Sequence, residues 1–415
     1  MLDIVALVIT LTALFSYLNY RYVGLPTTIG VMVIALALSL AMLGAHHLGW
    51  VYPERLAREV LGRIDFEEVL LQGMLSFLLF AGALHVNLDD LARQKWVIIV
   101  LATAGVVTST FLVGGLAWWL FGVLGLDLPL IWCLLFGALI SPTDPIAVLG
   151  LLKTAGVPRT LETKITGESL FNDGIAVVVF LVLLGIAAGG HEVSAGGVAL
   201  LLAEEALGGI LFGLAIGYAA YSLLRRVDDY RVEVLITLAL VMGGYALASE
   251  IHVSGPLAMV VAGLLIGNHG RLFGMSDHTR EHLDTFWELI DEVLNATLFV
   301  LIGLELIVLN LRGEYLVAGL AAIPAVLLAR LVSVGLPIGL MRGARTFSPN
   351  VVRVMTWGGL RGGISVAMAL ALPPGAVRDA LLTITYVVVV FSIVVQGLTI
   401  EWVAKTGTGG GAPGA

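Results

Sequence analysis

Phe136-Gly-Ala-Leu-Ile-Ser-Pro-Thr-Asp-Pro-Ile-Ala-Val148 is apolar enough to lie in a bilayer, yet it carries Asp144 between two prolines. Pro142 and Pro145 stand three residues apart. Each lacks a backbone N–H and clashes with the turn before it, so a helix must break here. At membrane depth the freed carbonyls need protein, water or a cation. Further on, Gly167-Glu-Ser-Leu-Phe-Asn-Asp-Gly174 puts Asp173 inside a second apolar segment. A carboxylate at a helix centre in a bilayer costs at least about 2.5 kcal/mol, which makes each acid a functional-site candidate. An acid, loose carbonyls and a second acid nearby together suit a hard cation.

The wider composition agrees. Of 415 residues, 59% are hydrophobic and only 13% charged, against roughly 25% charged in soluble domains. Mean hydropathy is +1.01. A soluble core cannot bury this much apolar surface, so the chain reads as a polytopic membrane protein. The net charge of −8 says little, because the distribution of Lys and Arg matters more than the sum; no nucleic-acid partner is expected. A single cysteine, Cys133, excludes an internal disulfide and reads as a packing residue. Met1–Tyr20 has no basic leader and reads as a first span rather than a signal peptide. Residues 404–415 read as a disordered, glycine-rich tail, with no soluble regulatory domain.

Thirteen spans are expected, near 2–20, 27–45, 68–86, 96–122, 129–152, 163–188, 195–224, 232–250, 254–268, 285–309, 314–341, 350–372 and 379–402. One set of loops carries fifteen Lys and Arg and the opposite set five. The positive-inside rule then puts the N-terminus outside and the C-terminus in the cytoplasm. The remaining two arginines, Arg330 and Arg361, fall inside spans.

An internal repeat is visible. Phe77-Leu-Leu-Phe-Ala-Gly82 resembles Leu298-Phe-Val-Leu-Ile-Gly303, and Phe136-Gly-Ala-Leu139 resembles Trp357-Gly-Gly-Leu360. Both pairs are 221 residues and seven spans apart. An odd offset inverts the topology, and inverted repeats with broken helices place a transport site at their interface. Trp357-Gly-Gly-Leu-Arg-Gly-Gly363 is the expected second break, since four glycines weaken a helix.

Spacing sorts the sixth span. Thr166, Ser169 and Asp173 follow each other by three and four residues and share a face. Glu168 lies about 140° round the axis from Asp173, so it looks toward another helix. Asn172 borders the Asp173 face. Arg330 and Arg361 sit about eleven residues from the nearer span end, roughly 16 Å, too far to snorkel. Glu168 is the spare acid for one of them; Arg361 alternatively neutralises carbonyls at the helix break. Glu288, Asp291 and Glu292 read either as an ion funnel or as a polar helix start, and Glu305 as an acid at the outer end. The loop histidines read as solvated.

Thr143-Asp144-Pro145, Gly167–Gly174 with its Asn172-Asp173 pair, Gly358-Gly-Leu-Arg-Gly362 and Ala329-Arg330 together resemble the bacterial, short-tailed cation:proton antiporters of the sodium/proton exchanger family. The resemblance runs to about residue 402. It implies a cation and proton site at Asp173, with Asp144, Ser169, Asn172 and the Thr143 carbonyl nearby, and a Glu168–Arg330 ion pair. The Asn-Asp form implies electroneutral exchange. Relatives with an acid in the third span differ from this chain, which has Ala81 there.

The expected fold is an all-α membrane bundle of two inverted repeats with two broken, crossing helices. Residues 1–95 and 227–312 form a dimerising scaffold, 96–190 and 313–403 an ion-carrying core, and 191–226 a linker. The expected function is exchange of Na+ (or Li+) for H+ by alternating access, electroneutral and one for one, in a bacterial inner membrane, with pH homeostasis as its role. No resident cofactor is expected. A K+/H+ antiporter of the same fold is the nearer alternative, because both ions take the same ligand types. A cation channel, or an intramembrane aspartyl protease with Asp144 and Asp173 as its dyad, is remote. The protease needs Gly-x-Gly-Asp, and the chain reads Phe171-Asn-Asp-Gly174.

Overall fold

The computed structural model describes residues 2–48, 73–144, 152, 157–189, 195–270, 276–343, 345–348 and 350–406. Arg55, Arg58, Arg63, Lys153, Arg271, the start of the third span, the stretch from Pro145 to residue 151 and the tail from 407 lie outside them. Among the described residues every regular element is helical: α1 Leu2–Leu18, α2 Thr27–His47, α3 Leu75–Leu84, α4 Leu88–Val123, α5 Leu130–Ile140, α6 Arg159–Ala187, α7 Ala195–Leu224, α8 Tyr230–Glu250, α9 Gly255–Leu265, α10 Asp277–Glu305, α11 Gly313–Met341, α12 Val351–Trp357, α13 Gly363–Leu370 and α14 Ala376–Lys405. These follow the thirteen spans in order, with the twelfth split into α12 and α13.

Polar residues set where helices start. Asn87, Asp229, Ser254 and Ser276 each accept a backbone N–H from the first turn of α4, α8, α9 and α10. Lys164, counted above with the loops, instead lies buried inside α6 with its ammonium 4.8 Å from the Phe347 ring centre. The ring face offsets part of the cost of burying that charge.

The packing follows the inverted repeat. The 221-residue interval relates α2 to α9 and α3 to α10, and α2 packs on α10 as α9 packs on α3. Likewise α1 packs on α10 as α8 does on α3. α4 and α11, which the same interval relates to each other, also pack together, and α5 packs on α13. One group of helices, α4 to α6 and α11 to α14, packs mainly within itself; so does the group of α1 to α3 and α8 to α10, with α7 along α9. Small residues allow close crossings in the first group: Gly137 of α5 lies so near the Thr110 carbonyl of α4 that a Cβ would collide with it.

Candidate functional site

Two helices stop in the middle of the bundle, and their broken ends cross. α5 ends at Ile140 and α12 at Trp357, and α13 restarts at Gly363. Between them the Asp144 N–H donates to the Leu360 carbonyl at 2.8 Å. Arg361 Nη1 donates to the Ser141 and Pro142 carbonyls at 2.7 and 2.9 Å. A buried guanidinium on one break thus satisfies carbonyls freed by the other, which suits the partial negative charge at the end of α5. A π-turn in α14 supports the crossing from behind. Ser392 Oγ accepts the Arg361 N–H at 2.9 Å, and Gln396 Nε2 donates to the Trp357 carbonyl at 2.9 Å.

α6 runs beside this crossing. Asn172 Nδ2 donates to Thr143 Oγ1 at 2.8 Å, while Asn172 Oδ1 accepts the Thr143 N–H at 3.3 Å. The Thr143 and Ser169 hydroxyls are 2.9 Å apart. Asn172 therefore clamps the non-helical segment that carries Asp144. Thr166, on the same helical face, turns back to the Glu162 carbonyl of its own helix.

Asp144 and Asp173 line one cavity, together with Pro142, Gly362 and Ser365 from the breaks and Asn295 from α10. Apolar Leu75, Leu79, Gly82 and Leu298 form the wall on the α3 and α10 side. The space open to the centres of water-sized particles is about 60 Å³, and one water needs roughly 10–15 Å³ on that measure. The cavity thus has room for a few waters or a partly hydrated small cation. Two carboxylates facing it suit a hard monovalent ion or a proton.

Glu168 faces away from the cavity and meets Arg330, not Arg361. Arg330 Nη1 donates to Glu168 Oε1, and Nη2 to Oε2 at 2.9 Å. The side chains are 7% and 1% exposed. The fork geometry is the strong bidentate form. Glu305 and Asp291 are also placed by α10: Glu305 is buried near its end, and the Asp291 carbonyl accepts from Asn295 Nδ2 at 2.8 Å. Ala81 is buried and offers no donor.

Two residues escaped the reading of the sequence: Asn295 and Ser365. Asn295 lies four residues after Asp291, on its helical face. Ser365 lies 221 residues after Asp144, so extending the repeat would have found it. Gly362 was read as a helix breaker, but its more specific role is room, since a Cβ there would sit 2.7 Å from the Asp144 Cβ and collide with its Oδ2.

The family model described as sodium/hydrogen exchanger, transmembrane, matches residues 8–406. The Na(+)/H(+) antiporter NhaP of Pseudomonas aeruginosa is 55% identical over 404 residues, covering 96% of this chain and 95% of that protein. The Na(+)/H(+) antiporter NhaH of Halobacillus dabanensis is 39% identical, covering 82% and 83%. The solved structure of the sodium proton antiporter MjNhaP1 from Methanocaldococcus jannaschii shares the fold, with a TM-score of 0.76, 19% identity and 98% of each chain covered.

Proposed function

The chain belongs to the sodium/hydrogen exchanger family, and from that premise we propose that Asp173 is the carboxylate on which it exchanges Na+ for H+. The observation that carries this reading is the shared cavity of Asp173 and Asp144 at the crossing of two broken segments. Asp173 holds either a proton or a Na+ ion, never both. Asp144 adds a second oxygen donor group, and the Thr143–Asn172–Ser169 hydrogen bonds hold its backbone in place. Competition for one carboxylate couples the two ions without further machinery.

The cavity lies between the two groups of helices, with the acids on one side and, on the other, a wall of α3 and α10 that is apolar except for Asn295. The leucines and Gly82 of that wall make no directional bonds, so one group can slide or rock past them. Residues 96–190 and 313–403 act as the moving core, residues 1–95 and 227–312 as the scaffold, and 191–226 as the linker. Membrane exposure alternates as the core moves. The scaffold forms the homodimer contact, the N-terminus is outside and the C-terminus in the cytoplasm of a bacterial inner membrane, where the exchanger serves pH homeostasis. Na+ is favoured over K+ by the named activities of the NhaP and NhaH relatives.

Because Asn172 is neutral, one Na+ leaves for each H+ that enters, and no net charge crosses. The test uses purified protein in proteoliposomes with a pH-sensitive dye. Asp173→Asn is expected to abolish Na+-driven proton movement while leaving thermal unfolding cooperative; retained exchange would overturn the assignment. In the wild type, a valinomycin/K+ potential, applied after K+ transport has been excluded, is expected to leave the rate unchanged. A single moved charge would feel about 2.3 kcal/mol per 100 mV, so a clear rate change would disprove electroneutrality.

A further inference from the structure

Two buried oxygens at the cavity have no hydrogen-bond partner among the described residues: Ser365 Oγ and Asn295 Oδ1. Ser365 is 1% exposed and Asn295 2%. The orientation of the Asn295 amide follows from chemistry, because the Asp291 carbonyl it meets can only accept. The nitrogen is thereby fixed on that carbonyl and the oxygen left over. Native proteins rarely leave a buried polar oxygen unpaired, and each such case calls for an explanation. Here both residues line the space that Asp144 and Asp173 also line.

The repeat gives Ser365 a second reason to be there. It stands at the position equivalent to Asp144, by the 221-residue interval that relates the other repeat pairs. Each crossing segment therefore offers an oxygen at the same register, a carboxylate from the first and a hydroxyl from the second. Asn295 supplies an oxygen on the opposite wall, where α3 contributes only leucines and Gly82.

We propose that Ser365 and Asn295 are specificity-determining ligands that complete the oxygen shell of the Na+ held at Asp173. This rests on the carrier reading of Asp173. A cation needs several oxygen donors at once, whereas a proton needs one carboxylate oxygen. The two residues therefore favour Na+ in its competition with H+ without changing proton binding itself.

The test follows Na+-dependent thermal stabilisation of the purified full-length protein, a binding readout independent of transport, alongside the Na+ dependence of exchange in vesicles. Losing one neutral oxygen ligand is expected to raise the Na+ midpoint about tenfold in Ser365→Ala and in Asn295→Ala. The same factor is expected at every pH, because only the Na+ affinity changes. Ser109→Ala also removes a buried hydroxyl with no partner among the described residues, but away from the cavity, and its midpoint is expected to match the wild type. Ser365→Cys and Asn295→Leu, closer in size, replace any alanine variant without a cooperative melt. Folded Ser365 and Asn295 variants with the wild-type Na+ midpoint would overturn the proposal while leaving the carrier reading intact. Failure of protons to compete with Na+ in the wild type would instead overturn the carrier reading itself.

Discussion

Glu168 and Arg330 are 162 residues apart in sequence and form a bidentate pair inside the bundle. Removing either leaves the other charge buried and unpaired, a loss of about 3–5 kcal/mol. Glu168→Ala and Arg330→Ala are therefore expected to lower stability strongly, and the double variant to recover part of the loss. A thermal-melt cycle checks this, and additive losses would show that the pair is not coupled. At this scale the sequence was legible where chemistry clashed with context. Asp144, Asp173, Glu168 and the two arginines stood out because charge is costly among apolar residues. Which arginine meets Glu168 was not legible from residue properties, because helical spacing gives a direction round one axis but not the neighbour found there. Family resemblance supplied Arg330, and the structure has that pair. Asn295 was not legible because a neutral polar side chain in a membrane helix often only hydrogen-bonds its own backbone, and Ser365 was legible only through the 221-residue repeat.

The two broken helices read differently before and after folding. Paired prolines announced the first break, and four glycines the second. Helix propensity explains why α12 stops at Trp357, but not why glycine recurs on both sides of Arg361. Gly359 lies against the Arg330 guanidinium, where a Cβ would come within 2.6 Å of Nε, and Gly362 lies against the Asp144 carboxylate. The glycines make room for charged groups at a crossing that no local pattern reveals. Gly362→Ala is expected to displace the Asp144 carboxylate from the cavity. It should therefore weaken Na+ binding, roughly tenfold or more if the Asp144 contact is lost, with a smaller effect on the thermal midpoint than Arg330→Ala. Na+ titration of exchange in vesicles checks it, and an unchanged Na+ dependence would mean that Asp144 does not contribute from that position. Span existence was the most legible element property; α3, α5, α9, α12 and α13 are each too short among the described residues to cross a bilayer alone. Their reach becomes intelligible only as parts of breaks, tilts and packed pairs.

Across the whole molecule, an inverted repeat places two broken segments face to face at the boundary of two helix groups. The interval of 221 residues was readable from two short matches, and the packing of α2 on α10 and of α9 on α3 obeys it. What sequence could not give was the position of the cavity between the groups, since that depends on how α3 and α10 close over α6. We propose that one carboxylate is shared in turn by Na+ and H+ as that boundary opens to each side. Linkage makes this quantitative, because each ion must weaken the other by the same factor. The most direct measurement is the apparent KM for Na+ as a function of pH, taken in proteoliposomes with equal pH on both sides. On the acidic limb, where the site is mostly protonated, the expected KM rises about tenfold for each unit of falling pH, and on the alkaline limb it levels off. A KM for Na+ that stays constant across the acidic limb while exchange continues would contradict the account, since the two ions would then occupy separate sites.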